Sequence, residues 1–177
     1  MSYPESEYRL PFNIRDHPLV IMQGWNGPWS HKIYISRAGT EQDLTHAIDF
    51  VLPIDSEILA ARSGIVTGLV AASTTYYDGS DPEIGNNLST FATNRIRVEH
   101  NDGTLSYYSH LRHLGTLVKR GTAVEPGQIL GYTGLSGWVG DKPHLHFMVC
   151  SGDKSIPFRF ADYSGPLEHS ELFPESK

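Results

Sequence analysis

One cysteine in 177 residues, Cys150, excludes an internal disulfide and any multi-cysteine zinc knot. Its neighbours Phe147, Met148 and Val149 are apolar, which predicts a buried, inert thiol. The basic residues form no dense block and the formal net charge is -6, so the chain lacks an electrostatic footprint for nucleic acid or an anionic membrane. A continuous apolar run is missing as well. Residues 1–15 carry Glu5 and Glu7 and read neither as a signal-peptide core nor as a membrane span. Trimming a signal would erase its own trace, so that reading leaves export open. Long amphipathic helical patterns are also absent. What is plentiful is punctuation: 17 glycines and 11 prolines, with 11% aromatic residues, spread among short Val/Ile/Thr-containing segments. This pattern predicts a β-rich domain with many turns. The length suits one core that buries roughly two thirds of the unfolded surface.

Short strands are expected at Leu19–Met22, Ala47–Leu52 ahead of Pro53, and on both sides of Gly64 within Ile58–Ala72. Asn101-Asp102-Gly103 predicts a hairpin turn between Arg95–His100 and Thr104–His110. More short strands follow between Val118 and Tyr132, punctuated by Gly121, Gly127 and Gly131. Ser30–Thr45 reads as a surface loop, and Thr74–Ala92, rich in Gly, Asn, Asp and Ser, as an insertion that borders a groove. The chain thus divides into an irregular leader over 1–16, a compact domain over 17–155 and an irregular tail over 156–177.

The segment Pro143-His144-Leu145-His146-Phe147 carries the strongest chemical signal. Side chains two apart on a strand share a face, so His144 and His146 converge on one site. Two convergent imidazoles fit a metal or proton-transfer chemistry, although histidine is also an ordinary polar side chain on a strand. Single histidines at positions 17, 100, 113 and 169 have no such company and read as surface or turn residues.

Taken in order, Gly27-Pro28-Trp29-Ser30-His31, Ala47-Ile48-Asp49-Phe50, Tyr108-Ser109-His110-Leu111 and Pro143-His144-Leu145-His146-Phe147 resemble the motifs of the lysostaphin-type metallopeptidases, family M23. The phrases Ala60–Val66, Asn101–Thr104 and Val124–Gly131 with Thr133-Gly134 resemble that domain's spacers in the same order, over roughly Val20 to Val149. The resemblance implies an all-β, compact antiparallel β-sheet domain with a substrate groove, the lysostaphin-type (duplicated hybrid motif) fold. It implies one Zn2+ per chain and hydrolysis of peptide bonds in peptidoglycan cross-links or stem peptides. It also implies an extracytoplasmic location, periplasmic or secreted. The partner is then a peptidoglycan peptide, with no nucleic acid, no membrane span and a monomer by default. One departure stands out: Asp55-Ser56 replaces the family's usual Gly-Thr after the strand-ending proline, which alters a turn rather than the chemistry.

The same resemblance makes Asp49 and His146 metal ligands, and two histidines compete for the third place. His46 lies three residues before Asp49, so in one extended strand the two would face opposite ways. His31 sits in a loop, as in a branch of the family with Ser-His after a Gly-rich aromatic stretch, and is the favoured ligand. A bulge near Thr45 would instead bring His46 round. His31, Asp49 and His146 together leave a fourth position open, the stoichiometry of a catalytic zinc. His110 and His144 are then the non-ligand pair beside a zinc-activated water, with the general base undecided between them. Tyr108 is a candidate to share the face of His110, and Trp25, Trp29 and Trp138 to wall the groove.

Two rival readings remain. A catalytically silent M23-like domain that binds and regulates a cell-wall hydrolase would have lost some ligands, and metal-dependent cleavage separates it from an enzyme. A biotinyl- or lipoyl-type carrier would need a lysine at a hairpin tip, and none lies between Arg120 and Trp138.

Overall fold

The computed structural model describes residues 7–26, 30–35, 41–80, 92–140 and 142–167. An antiparallel sheet dominates it, in the order Ala123–Val124, Gly64–Val70, Arg95–Glu99, Leu105–Ser109, His144–Ser151, Ile48–Val51 and Ile21–Gln23. Lys154–Ser155 folds back on the His144–Ser151 strand. A second sheet of three strands, Leu111–Thr116, Ile129–Thr133 and Glu57–Leu59, supplies the other wall of the core. The all-β, antiparallel expectation therefore holds. Two short pairs run parallel, Glu7–Tyr8 with Arg159–Phe160 and Tyr76–Tyr77 with Gly137–Trp138.

His144–Ser151 sits between two neighbours and is buried from end to end except for Ser151. Strand alternation explains how one segment serves two purposes. Leu145, Phe147 and Val149 enter the main core with Ile48, Phe50, Ile96, Val98 and Tyr108. On the opposite face Met148 and Cys150 join Ala47 in a smaller cluster, which leaves His144 and His146 at the far end of that face. Cys150 is free and buried, and burial pushes its thiol up to about 12, as expected of an inert cysteine.

The expected hairpin forms: Gly103 adopts φ +79°, Gly103 N donates to His100 O at 3.0 Å, and Thr104 N to Asp102 Oδ1 at 3.0 Å. The Ser30–Thr45 stretch contains a short antiparallel pair, Ile33–Ile35 with Glu41–Asp43. Most of the Thr74–Ala92 insertion lies outside the described residues, but its first part contributes the Tyr76–Tyr77 strand.

Both chain flanks feed the main core. Tyr8, Leu10 and Phe12, two apart like a strand face, are buried with Phe158, Phe160 and Leu167. Phe158 packs edge-on against Tyr8, Trp25, Phe147 and Phe160, with ring centroids 5.2–5.9 Å apart. Phe158→Ala is expected to destabilise the protein by about 3–5 kcal/mol in urea unfolding, the cost of truncating a core aromatic. A loss below about 0.5 kcal/mol, the scale of surface substitutions, would mean that this flank does not belong to the core.

Candidate functional site

The register of the central strand builds the site. His146 pairs directly with Asp49 on one neighbour and with Ser109 on the other. Directly opposed residues share a face, so the Asp49 carboxylate meets the His146 ring, with His146 Nδ1 2.9 Å from Asp49 Oδ1. His31 approaches from its loop and places Nε2 3.1 Å from Asp49 Oδ2. The His31 and His146 rings meet edge to face, centroids 4.7 Å apart. One ligand atom from each of His31, Asp49 and His146 lies within 4.8 Å of the others.

His46 stays apart from this group. It belongs to the turn before Ile48–Val51 rather than to the strand, so strand parity does not govern it. Its ring faces Ser155, with Nδ1 3.3 Å from Ser155 O, and stacks edge-on against Trp25. Trp25 Nε1 donates to His46 O at 2.7 Å, which locks that turn in place.

His110 occupies the corner where the chain leaves the large sheet after Leu105–Ser109 and enters the three-stranded sheet at Leu111. Its φ of +65° is uncommon for a residue other than glycine. In a regular strand His110 would point away from Ser109 and His146. The left-handed turn re-aims it, so that its ring sits 4.6 Å from His144 and 5.9 Å from His146 between centroids. His110 Nδ1 donates to Ser136 O at 2.8 Å and His144 Nδ1 to Lys142 O at 2.9 Å. A carbonyl only accepts, so each bond assigns the proton to Nδ1 and leaves the Nε2 lone pair for other work. His144 Nε2 lies 3.7 Å from Asp49 Oδ2.

The other candidates resolve differently. The same turn at His110 separates it from Tyr108, which is fully buried on the core side, its hydroxyl accepting from Ala61 N at 2.9 Å and from Ser106 Oγ at 3.1 Å. Burial raises that phenol to about 12. Tyr108 is therefore a core residue and not a substrate contact. His100 is buried rather than on the surface, bridging Ser63 O at 2.8 Å and Ser106 Oγ at 3.0 Å. Trp25 packs on the core, Trp138 is exposed and leans on Tyr77, and Trp29 and His169 lie outside the described residues. Sequence reading missed the carbonyls of Ser136 and Lys142, because a backbone oxygen leaves no signature in residue type. It also missed Gln23, which an irregular register sets opposite Asp49.

Burial by itself would raise the Asp49 carboxyl, but His31 and His144 beside it, with the hydrogen bond from His146, hold it well below the usual carboxylate range. Burial pulls His31 down, and the Asp49 charge outweighs it, so His31 is raised. Burial lowers His146 despite Asp49. Burial, reinforced by His144 and His146, takes His110 down to about 3, so it is neutral at working pH. The residues fit a metal on an independent count. His31 Nε2 is buried and makes no well-aligned hydrogen bond, only its 3.1 Å approach to Asp49 Oδ2, and a cation held between the two would satisfy both. Two imidazole nitrogens and one carboxylate form the three-ligand donor set of catalytic zinc.

A family model described as peptidase family M23 matches residues 43–157. His31 lies ahead of that segment and joins the group by geometry. No curated protein matches the chain. Among solved structures it is similar to a zinc containing peptidase from Vibrio cholerae, at 22% identity and a TM-score of 0.56 over 86% of this chain. The chain spans only 39% of that protein. The catalytic domain of the antimicrobial peptidase lysostaphin from Staphylococcus simulans shares 26% identity at a TM-score of 0.50, over 78% of this chain and 88% of the domain. A component of the SpoIIQ-SpoIIIAH pore forming complex has the same fold, at 19% identity and a TM-score of 0.56, with 86% and 89% of the two chains covered.

In long-range 1H–15N spectra, His110 is expected to show a protonated Nδ1 and an unprotonated Nε2, unchanged from pH 8 down to pH 5. An imidazolium pattern within that range, or a proton on Nε2, would contradict the hydrogen bonding described.

Proposed function

Since the chain belongs to peptidase family M23, we propose that it is a zinc metalloendopeptidase that hydrolyses peptide bonds in peptidoglycan cross-links or stem peptides. One observation carries the reading: His31, Asp49 and His146 gather three ligand atoms within 4.8 Å, and two more buried imidazoles, His110 and His144, stand against them. A silent domain has no need to keep all five. Zinc, when bound, supplies the Lewis acid that polarises the scissile carbonyl and acidifies the attacking water.

The protein's own groups do the rest. His31, Asp49 and His146 are the ligands, and Asp49 stays ionised, offsetting the cation's charge. His110 and His144 each present Nε2 as a proton acceptor, because their Nδ1 protons are committed to Ser136 O and Lys142 O. Once it has taken the water's proton, an imidazolium has two N–H donors, one of which stabilises the oxyanion or returns the proton to the leaving amine. The buried setting strengthens each of these interactions. An extracytoplasmic location, where peptidoglycan lies, follows from the same reading.

A ligand panel tests it with two readouts, bound zinc by elemental analysis and cleavage by release of new amino termini. His31→Ala and His146→Ala are expected to lose zinc, and His46→Ala to keep it. His110→Ala and His144→Ala are expected to keep zinc and lose about 10²–10⁴-fold in turnover, the usual worth of a proton-transfer group. Equal zinc loss in the His31 and His46 variants would sink the ligand assignment. Full activity in both the His110 and His144 variants would sink the mechanism.

A further inference from the structure

The two non-ligand histidines come from distant elements, a sheet corner and the start of the central strand, and each is held by a backbone carbonyl. His110 donates to the carbonyl of Ser136 and His144 to that of Lys142. The stretch from Gly134 to Gly140, which carries the first of these carbonyls, is itself held from several sides. Gly137 N donates to Thr75 O at 2.8 Å and Val139 N to Tyr77 O at 3.0 Å, as part of the parallel pairing of Gly137–Trp138 with Tyr76–Tyr77. Tyr76 Oη donates to Gly140 O at 3.2 Å. Ser136 Oγ, buried, accepts from Asn94 N at 2.9 Å and donates to Leu111 O at 2.8 Å, which ties it to the residues flanking the His110 corner. Gly134 N donates to His110 O at 2.8 Å. Gly137 adopts φ +83°, and a Cβ there would run into Thr93 Oγ1. No other residue type suits that place.

We propose that Ser136, tied to Asn94 and Leu111, and Gly137, locked onto the Tyr76–Tyr77 strand, are positioning residues that set the ring orientation and the proton-bearing nitrogen of His110. Nothing else among the described hydrogen bonds holds its Nδ1. If the Ser136 carbonyl moved, His110 would be free to turn its ring or change tautomer, and its lone pair would no longer face the site. Outer groups that fix ring orientation in this way are worth about 10–100-fold in activity. The inference also gives the Tyr76–Tyr77 strand a role in the chemistry at a distance. It rests on the peptidase reading for its kinetic readout and is independent of that reading for its spectroscopic one.

The test uses the full zinc-loaded chain, 15N-labelled at histidine, as wild type, Ser136→Ala and Gly137→Ala. Gly121→Ala serves as the control. Gly121 also has a positive φ, +86°, with open space around it, so its variant carries a similar backbone strain away from the histidines. Wild type and Gly121→Ala are expected to show a single Nδ1–H form of His110. In Ser136→Ala and Gly137→Ala the His110 nitrogen shifts are expected to move towards a tautomer mixture, with zinc content unchanged. Turnover should fall about 10–100-fold while KM stays within about 2-fold. Retention of the Nδ1–H form and of wild-type turnover in both variants would overturn the proposal. So would loss of zinc in step with activity, which marks a general structural defect. A wild type that cleaves nothing, with His110 shifts that still move in the two variants, would remove the peptidase reading and uphold the positioning role.

Discussion

The register that sets His146 opposite Asp49 on one side and Ser109 on the other is the constraint on which the site depends. Because side chains alternate along a strand, that register decides at once that Leu145, Phe147 and Val149 fill the core and that His144 and His146 do not. A slip of one residue would bury two imidazoles among phenylalanines and put Leu145 and Phe147 where the histidines stand. Core packing and site geometry are therefore enforced by the same contacts. The buried carboxylate at the centre would be costly alone, and the imidazoles around it offset that cost. Zinc in the same place would do so more strongly.

Around this rigid pair the remaining groups arrive by less regular means. His110 reaches the site only because the chain turns through a left-handed conformation as it changes sheets. His31 arrives on a loop, and its Nε2, close to Asp49 Oδ2, is the one buried side-chain nitrogen or oxygen among the described residues that makes no hydrogen bond. Local strain and an unsatisfied buried nitrogen are typical of sites shaped for function rather than for stability. Five imidazole and carboxylate groups from four separate segments meet in one place, which a purely structural role would not require.

Features with a local cause were legible in the sequence. The His144–His146 convergence follows from strand alternation alone, and the turn at Gly103 from its dipeptide chemistry. Asp55, which replaces a family glycine, does sit in a turn at φ +69°, its carboxylate paired with Arg112. Features that depend on tertiary contact were not. Parity sets His46 aside in the sequence, but the operative reason is a turn pinned by Trp25 and Ser155. Tyr108 looked like a companion of His110 because alternation was carried through a residue that breaks it. His100 looked superficial because its partners, Ser63 O and Ser106 Oγ, are ordinary groups whose nearness only the fold creates. The carbonyls that hold His110 and His144 belong to the same class.

The central claim is that this arrangement cleaves peptidoglycan peptides with zinc. The most direct measurement incubates the zinc-loaded protein with purified peptidoglycan of several cross-link chemistries, with and without a chelator, and identifies new amino termini by mass spectrometry. The account predicts cleavage of at least one wall type at a defined peptide bond, lost with chelator and restored by zinc. Intact peptidoglycan of every type, from a protein carrying stoichiometric zinc, would contradict it and leave a binding or regulatory domain built on a peptidase fold.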